Sequence, residues 1–338
     1  MKLLNKINAI LQLPLSVSVI LKQLAIQKKF FKIYCQPILK DAQQNNDGSL
    51  DASDFSKITS YYGLAVPAIL GEAFCALHGK KMSEDERIAS TAQGAMTGLF
   101  DDFFDKEQLS QEAIEQLLHQ VGIPGSRYNE KLFNQFYAMA LKHVPDRKDM
   151  QQTMMEVYEA QQMSRKQAGE FISYREIEEI TFYKGAVSLL FYRTAFLPKP
   201  DAGEQKLIYQ LGSLMQLCND IFDVYKDSQQ KIKTMITTAT QIRNVRIIFE
   251  EKLISCYNDA YALGLPRKHV KKFLSILSLG IFSRALVCLD QLERNETISN
   301  GRFTIDSYSR KQLICDMERI SNIKRSAVYA LRLQMFAK

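Results

Sequence analysis

Apolar residues recur at steps of three and four along almost the whole chain, and no convincing strand-like alternation interrupts them. The pattern predicts an all-α protein. Residues 2–12 read as a short amphipathic helix stopped near Pro14. Residues 16–43 read as a second, with Val19, Ile20, Leu24, Phe31 and Ile38 on its apolar face and Lys28, Lys29 and Lys32 on a basic side. A helix packed on the main body is favoured there over a membrane-surface contact, because lone basic clusters are usually solvated. Residues 61–78 form a helix that Pro67 begins or bends. Ser83 and Glu86 make a capping box, and the helix they open runs into an acidic cluster near residue 105. After a loop over 122–126, helices are expected over 128–143, 147–165 and 170–196. Further helices follow from a cap at Asp201 to residue 227, and over 233–263, 268–294 and 305–336.

Residues 44–54 imitate a calcium loop through Asn45, Asp47, Gly48, Leu50 and Asp54. Gln43 and Asp54 stand where Asp and Glu ligands belong, and no second loop pairs with it. The same residues predict a helix–loop–helix connection with Asp51 as N-cap. Gly185 falls inside the 170–196 helix, where it costs about 1 kcal/mol relative to Ala, so it marks a break or a close approach.

Two stretches carry candidate chemistry. The segment LGSLMQLCNDIFDVYKD, residues 211–227, places Asn219, Asp223 and Asp227 at steps of four, one stripe on a helix otherwise lined by Leu214, Leu217, Ile221 and Val224. The segment TGLFDDFFD, residues 97–105, sets Asp101, Asp102 and Asp105 among Phe100, Phe103 and Phe104. These aspartates end a helix, where the macrodipole is negative and carboxylates are disfavoured on stability grounds. If the two rows faced each other, each pair about 6 Å apart would repel by roughly 3 kcal/mol at an effective dielectric of about 20. Divalent cations resolve that conflict, and oxygen ligands without His or Cys suit Mg2+, which favours phosphate oxygens.

The pair DDFFD and NDIFDVYKD resembles the two metal-binding motifs of class I isoprenoid synthases. The first matches DDxxD at Asp101, Asp102 and Asp105; the second matches the terpene-cyclase motif at Asn219, Asp223, Lys226 and Asp227. Leu211, Gly212, Gln216, Leu217, Asn219, Asp223, Val224 and Asp227 are also similar to the second motif of squalene and phytoene synthases. The resemblance covers about 25 residues. It implies a large helical bundle over 51–338 with a central cavity, on which the helices of 1–50 pack. It also implies about three Mg2+ ions held by Asp101, Asp102, Asp105, Asn219, Asp223 and Asp227, and ionisation of an allylic isoprenyl diphosphate. Arg175, Lys184, Lys226 and Arg310 are the expected diphosphate-binding cations. Phe100, Phe104, Phe182, Tyr183 and Phe222 are the aromatic candidates for a cavity that stabilises a carbocation, each weighed against ordinary core packing.

Three fates of that cation are carried as alternatives. Chain elongation would place an Arg pair soon after the first motif, where Lys106, Glu107, Gln108 and Leu109 stand. Head-to-head condensation would bring a YxxxVAGxVG segment, of which residues 183–187 are only a loose echo. Cyclisation or elimination to a terpene needs one diphosphate and the Lys226–Asp227 pair, and leads. A non-catalytic helical interaction protein with solvated acidic stripes is the remote alternative, since solvated faces seldom alternate with Phe and Ile.

Composition narrows the rest. A chain of 338 residues with net charge +7 suits an anionic substrate or a bilayer surface as well as an ordinary folded domain. Its Arg and Lys lack the aromatic interleaving of a nucleic-acid groove. The four His show no metal spacing, and no Gly-rich phosphate loop or Ser or Cys nucleophile motif is present. Six scattered Cys without a CxxC predict reduced thiols and a cytoplasmic location. No stretch reads as a membrane span or a signal peptide. A peripheral membrane contact and a homodimer stay open.

Overall fold

Capping chemistry sets where helices start. A computed structural model describes residues 2–106, 109–121 and 125–335, with the side chains of residues 2–13, Asp105 and Met335 outside that description. Glu107 and Gln108, two of the residues weighed against chain elongation, and Gly122, Ile123 and Pro124 of the expected loop also lie outside the described residues. Among the described residues every regular element is helical, so the protein is all-α. Helix α1 spans Lys2–Tyr34 and passes through Pro14, where a stop was expected. The break comes instead at Cys35, because Pro37, near the start of α2 (Gln36–Gln44), has no N–H to offer the carbonyl four residues back.

The calcium-loop lookalike is a connection closed on itself. Asn46 accepts from the amides of Gly48 and Leu50, Asp47 from Ser49, and Asp51 caps the next helix, with Asp54 completing a capping box. That helix, α3 (Ala52–Leu77), begins earlier than residue 61 and contains two π turns, Lys57–Tyr62 and Val66–Gly71. Pro67 sits at the start of the second π turn, where the widened winding absorbs its missing donor. Ser83 and Glu86 form the expected box at the start of α4 (Glu84–Asp105). Next come α5 (Gln111–His119), α6 (Tyr128–His143), α7 (Arg147–Ser164) and α8 (Tyr174–Arg193). Asp201 caps α9 (Ala202–Phe222) by accepting from the Glu204 amide, and α10 (Val224–Gln229) follows at once.

Two expected helices are shorter than their patterns. Residues 233–241 are a turn within irregular chain, because the Thr234, Thr237 and Thr238 hydroxyls bond locally to the backbone, and α11 starts only at Ile242 (Ile242–Ala262). Helix α12 (Arg267–Ile298) is continuous through a π turn at Ser278–Phe282. The last predicted helix divides into α13 (Arg310–Leu313) and α14 (Ile320–Met335), with Asp316 taking the Glu318 amide in a local turn between them.

The chain falls into two compact units. An N-terminal unit comprises Ser18–Glu156 with Phe191–Lys199, and a C-terminal unit comprises Met1–Val17, Val157–Leu190 and Pro200–Lys338. The boundary expected at residue 50 lies inside the N-terminal unit. In the N-terminal unit α4 packs on α6 through Phe100, Phe103, Phe133, Phe136 and Tyr137, all buried. In the C-terminal unit Leu207, Leu211, Leu214 and Leu217 recur on one face of α9 and pack toward α11, which buries Val245, Phe249 and Leu253. Each such side chain contributes about 2 kcal/mol when removed from water.

Helices α3 and α12 are long and apolar enough to cross a membrane, which the sequence reading did not anticipate. However, 61% and 72% of their most apolar windows are buried within the protein. Their apolar length is taken up by core packing. The six cysteines are free thiols, and all but Cys315 are buried.

Candidate functional site

Backbone contact between α8 and α9 builds the acidic cluster of the C-terminal unit. Gly185 of α8 and Gly212 of α9 meet so closely that a Cβ on either would overlap the carbonyl oxygen of the other. Gly185 is therefore a close approach and not a break, and α8 runs through it. The helices are antiparallel at the crossing: Ser213 donates to the Phe182 carbonyl at 2.9 Å, and Thr181 donates to Asp220 at 3.2 Å. Gln216, one turn before Asp220 on α9, donates to its other oxygen at 2.9 Å.

Asp220 is buried, and burial pushes its carboxyl up to about 6, although Gln216, Lys184 and Thr181 favour the charged form. Burial also raises Asp223, opposed by Lys226. Asp227 goes up to about 8: burial leads, the charges of Asp220 and Asp223 add, and Lys226 and Lys184 offset only part. Asp223 and Asp227 make no side-chain hydrogen bond or ion pair among the described residues. Three carboxylates and two lysines thus share one field, with the negative charge incompletely compensated.

The stripe expected on one continuous helix is corrected here. α9 ends at Phe222, and Asp223 (φ −92°, ψ 8°) breaks the winding before α10. The amides of Asp223 and Asp227 still bond back four residues, so the three aspartates stay on one side. Asp220 joins Asp223 and Asp227, whereas Asn219 is half-buried and makes no side-chain hydrogen bond among the described residues. Asp220 was missed by the sequence reading, although its spacing of three to Asp223 and seven to Asp227 is equally helical.

The donor set suits Mg2+: oxygens only, half-buried, with cations near but not bonded. No group of three or more His, Cys, Asp or Glu among the described residues is gathered closely enough to enclose an ion alone. An ion here would take one or two carboxylates and complete its shell with water or phosphate, the arrangement Mg2+ favours. Arg310, the first residue of α13, lies over the ring of Tyr225, 5.8 Å from its centroid, beside Lys226. Lys184 and Lys226 act on the acids through their charge, whereas the contact shown for Arg310 is with the Tyr225 ring. Arg175 does not join them: it is 87% exposed at the start of α8 and pairs with Glu179 at 2.9 Å, as an i,i+4 pair on a solvated face does.

In the N-terminal unit the first motif has a different environment. Gly94 and Gly98 of α4 let α3 approach, so that a Cβ on Gly94 would lie 2.5 Å from the Tyr62 carbonyl oxygen and one on Gly98 3.1 Å from the Lys57 side chain. Lys57 consequently reaches both oxygens of Asp102, at 2.6 and 2.7 Å. Lys106 adds a contact to Asp102 at 3.2 Å and others to Asp54 at 2.8 Å and Asp51 at 3.0 Å. Burial and the hydrogen bond shared with Asp102 raise the Asp54 carboxyl. Asp102 is thus an ion-pair residue of the fold, and an added cation would compete with two lysines already in place. Asp101 is half-buried and raises the buried Tyr192 phenol by its charge, after the larger effect of burial. The Asp105 side chain lies outside the described residues. Lys106 was visible in sequence as an i,i+4 partner of Asp102; Lys57, 45 residues away, was not.

Among the aromatic candidates, Phe100 and Phe104 are core. Phe100 lies 5.3 Å from Phe104 and 5.7 Å from Phe133, ring to ring, and all three are buried. Phe182 is covered by Lys252, whose ammonium lies 3.6 Å from the ring centroid, so that face is already engaged by a cation. Tyr183 and Phe222 are half-buried. No family model, curated protein or solved structure matches the chain.

Proposed function

We propose that this protein is an Mg2+-dependent enzyme that ionises an allylic isoprenyl diphosphate. The observation that carries the reading is the incompletely compensated trio Asp220, Asp223 and Asp227 facing Lys184 and Lys226. A cluster of that kind is expensive in a metal-free fold and suited to a ligand that brings its own cations. Bound Mg2+ would stabilise the charge that grows on the departing diphosphate.

The chain's own residues have separate tasks in this reading. Asp223 and Asp227 hold the cations, and Lys184, Lys226 and Arg310 bind diphosphate oxygens. Gln216 and Thr181 keep Asp220 oriented, and the Gly185–Gly212 crossing sets the distance between Lys184 and the acids. Asp102, held by Lys57 and Lys106, anchors the helix of the first motif within the N-terminal unit. The leading fate of the cation is cyclisation or elimination to a terpene.

Head-to-head condensation of two such diphosphates is the second reading. It is favoured by the roles of the residues shared with squalene and phytoene synthases: Gly212 makes the backbone crossing, Gln216 orients Asp220, and Leu211 and Leu217 are buried. Incubation of the full chain with Mg2+ and farnesyl or geranylgeranyl diphosphate tests both. Pyrophosphate release with a hydrocarbon of the substrate's carbon number supports the first, and one of doubled carbon number the second. A folded protein that consumes neither substrate, or an Asp223→Asn variant that turns over normally, would overturn the proposal.

A further inference from the structure

A separate pocket lies within the C-terminal unit, walled by α11, α12 and α14, with a volume of about 380 Å3. Leu253, Ile254 and Tyr257 of α11, Leu286 of α12 and Leu333 of α14 supply apolar walls. The polar groups around it are mostly turned away or already paired. The Tyr257 hydroxyl bonds to Ser278, and the Tyr329 hydroxyl donates to Asp290 at 2.7 Å, so both residues offer rings to the pocket. Glu250, which also lines it, pairs with Arg246 at 3.5 Å.

Arg332 is the exception. Its guanidinium is exposed, lies 5.7 Å from the Tyr329 ring centroid, and makes no ion pair among the described residues. An apolar chamber of this size, lined by one exposed cation that makes no ion pair among the described residues, has the composition of a small-ligand site. We infer that this pocket binds a single-chain amphiphile with an anionic head, its chain between Leu253, Leu286 and Leu333 and its head on Arg332.

The inference does not depend on the acidic cluster, and its test needs no turnover. Calorimetric titration of the full chain without Mg2+, below micelle-forming concentrations, compares dodecyl phosphate, dodecanoate and dodecyltrimethylammonium. One equivalent of each anion should bind, with the ammonium about tenfold or more weaker, the worth of one charge-assisted hydrogen bond. Arg332→Gln, at an exposed position, should reduce the anions to the level of the ammonium. Leu286→Phe, checked for folding by circular dichroism, should fill the chamber and abolish binding of all three. Tighter binding of the carboxylate would point to fatty acids, and of the phosphate to phosphorylated prenyl or lipid chains. Equal affinity for anion and cation, many equivalents bound, or an unchanged Arg332→Gln variant would overturn it. Loss of binding in Asp227→Asn with retention in Leu286→Phe would do so as well.

Discussion

Asp102 and Asp227 make an instructive pair. Each belongs to an aspartate-rich segment at the C-terminal end of a long helix, and each helix is held by a glycine-mediated approach of a neighbour: Gly94 and Gly98 in one unit, Gly185 and Gly212 in the other. The approach delivers different partners. At Asp102 it brings Lys57 onto both carboxylate oxygens. At the second cluster it brings Thr181 to Asp220 and leaves Lys184 near the acids without an ion pair; burial, then the charges of Asp220 and Asp223, push Asp227 up to about 8, and the two lysines offset only part. One acidic segment is largely a closed structural device, and the other keeps the electrostatic deficit that a ligand could fill. The motif that looks more diagnostic as a string, DDFFD, therefore contains the more fully neutralised aspartate.

That contrast should break first in turnover. Asp223→Asn is expected to lower diphosphate release about a thousandfold or more, roughly 4 kcal/mol in the barrier, while leaving the melting curve of the metal-free protein intact. Single-turnover pyrophosphate release measures it. Asp102→Ala should do the reverse. It should destabilise the fold by about 3 kcal/mol, because Lys57 and Lys106 lose their carboxylate partner, and replacing Lys57 and Asp102 together by Met and Leu should recover much of that. Urea midpoints of the three variants decide this.

Gly185→Ala comes next, at about 2 kcal/mol, since its Cβ meets helix backbone and the two helices must part. A similar loss of stability with no change in diphosphate affinity would uncouple the crossing from the site.

Smaller is the pH dependence of Asp227. Its folded carboxyl titrates near 8, above the roughly 3.9 of an unfolded Asp. The folded state then holds a proton that the unfolded state has lost, so this group's contribution to stability is full below about pH 4 and lost as pH rises through about 8. Asp227→Asn should flatten that decline in urea titrations at about pH 5 and about pH 9, and saturating Mg2+ with pyrophosphate should oppose it. Smallest of all, Arg310→Ala removes an exposed cation over the Tyr225 ring and should raise KM about twofold with little effect on stability.

Much of the helical framework was legible. The capping box at Ser83 and Glu86 and the caps at Asp51 and Asp201 follow from local chemistry that needs no distant partner, whereas Gly185 read as either a break or a close approach until Gly212 was seen to meet it. The misses share a cause. The stop expected at Pro14 fell at Cys35, and the helix expected from residue 233 started at Ile242, because threonine hydroxyls and proline geometry act on balances too fine for a pattern to weigh. Among site residues, Asp220 was overlooked beside Asn219 although its spacing was readable, whereas Arg175 looked like a cation for the site and lies on a solvated face.

The order of residues by itself determined that the protein is helical and where its acids concentrate, because periodicity and capping act over a few residues. Which carboxylate is neutralised was decided by the tertiary structure alone. Lys57 meets Asp102 across 45 residues of chain only because two glycines let their helices touch, and charge compensation depends on distances of a few ångströms that one dimension does not record.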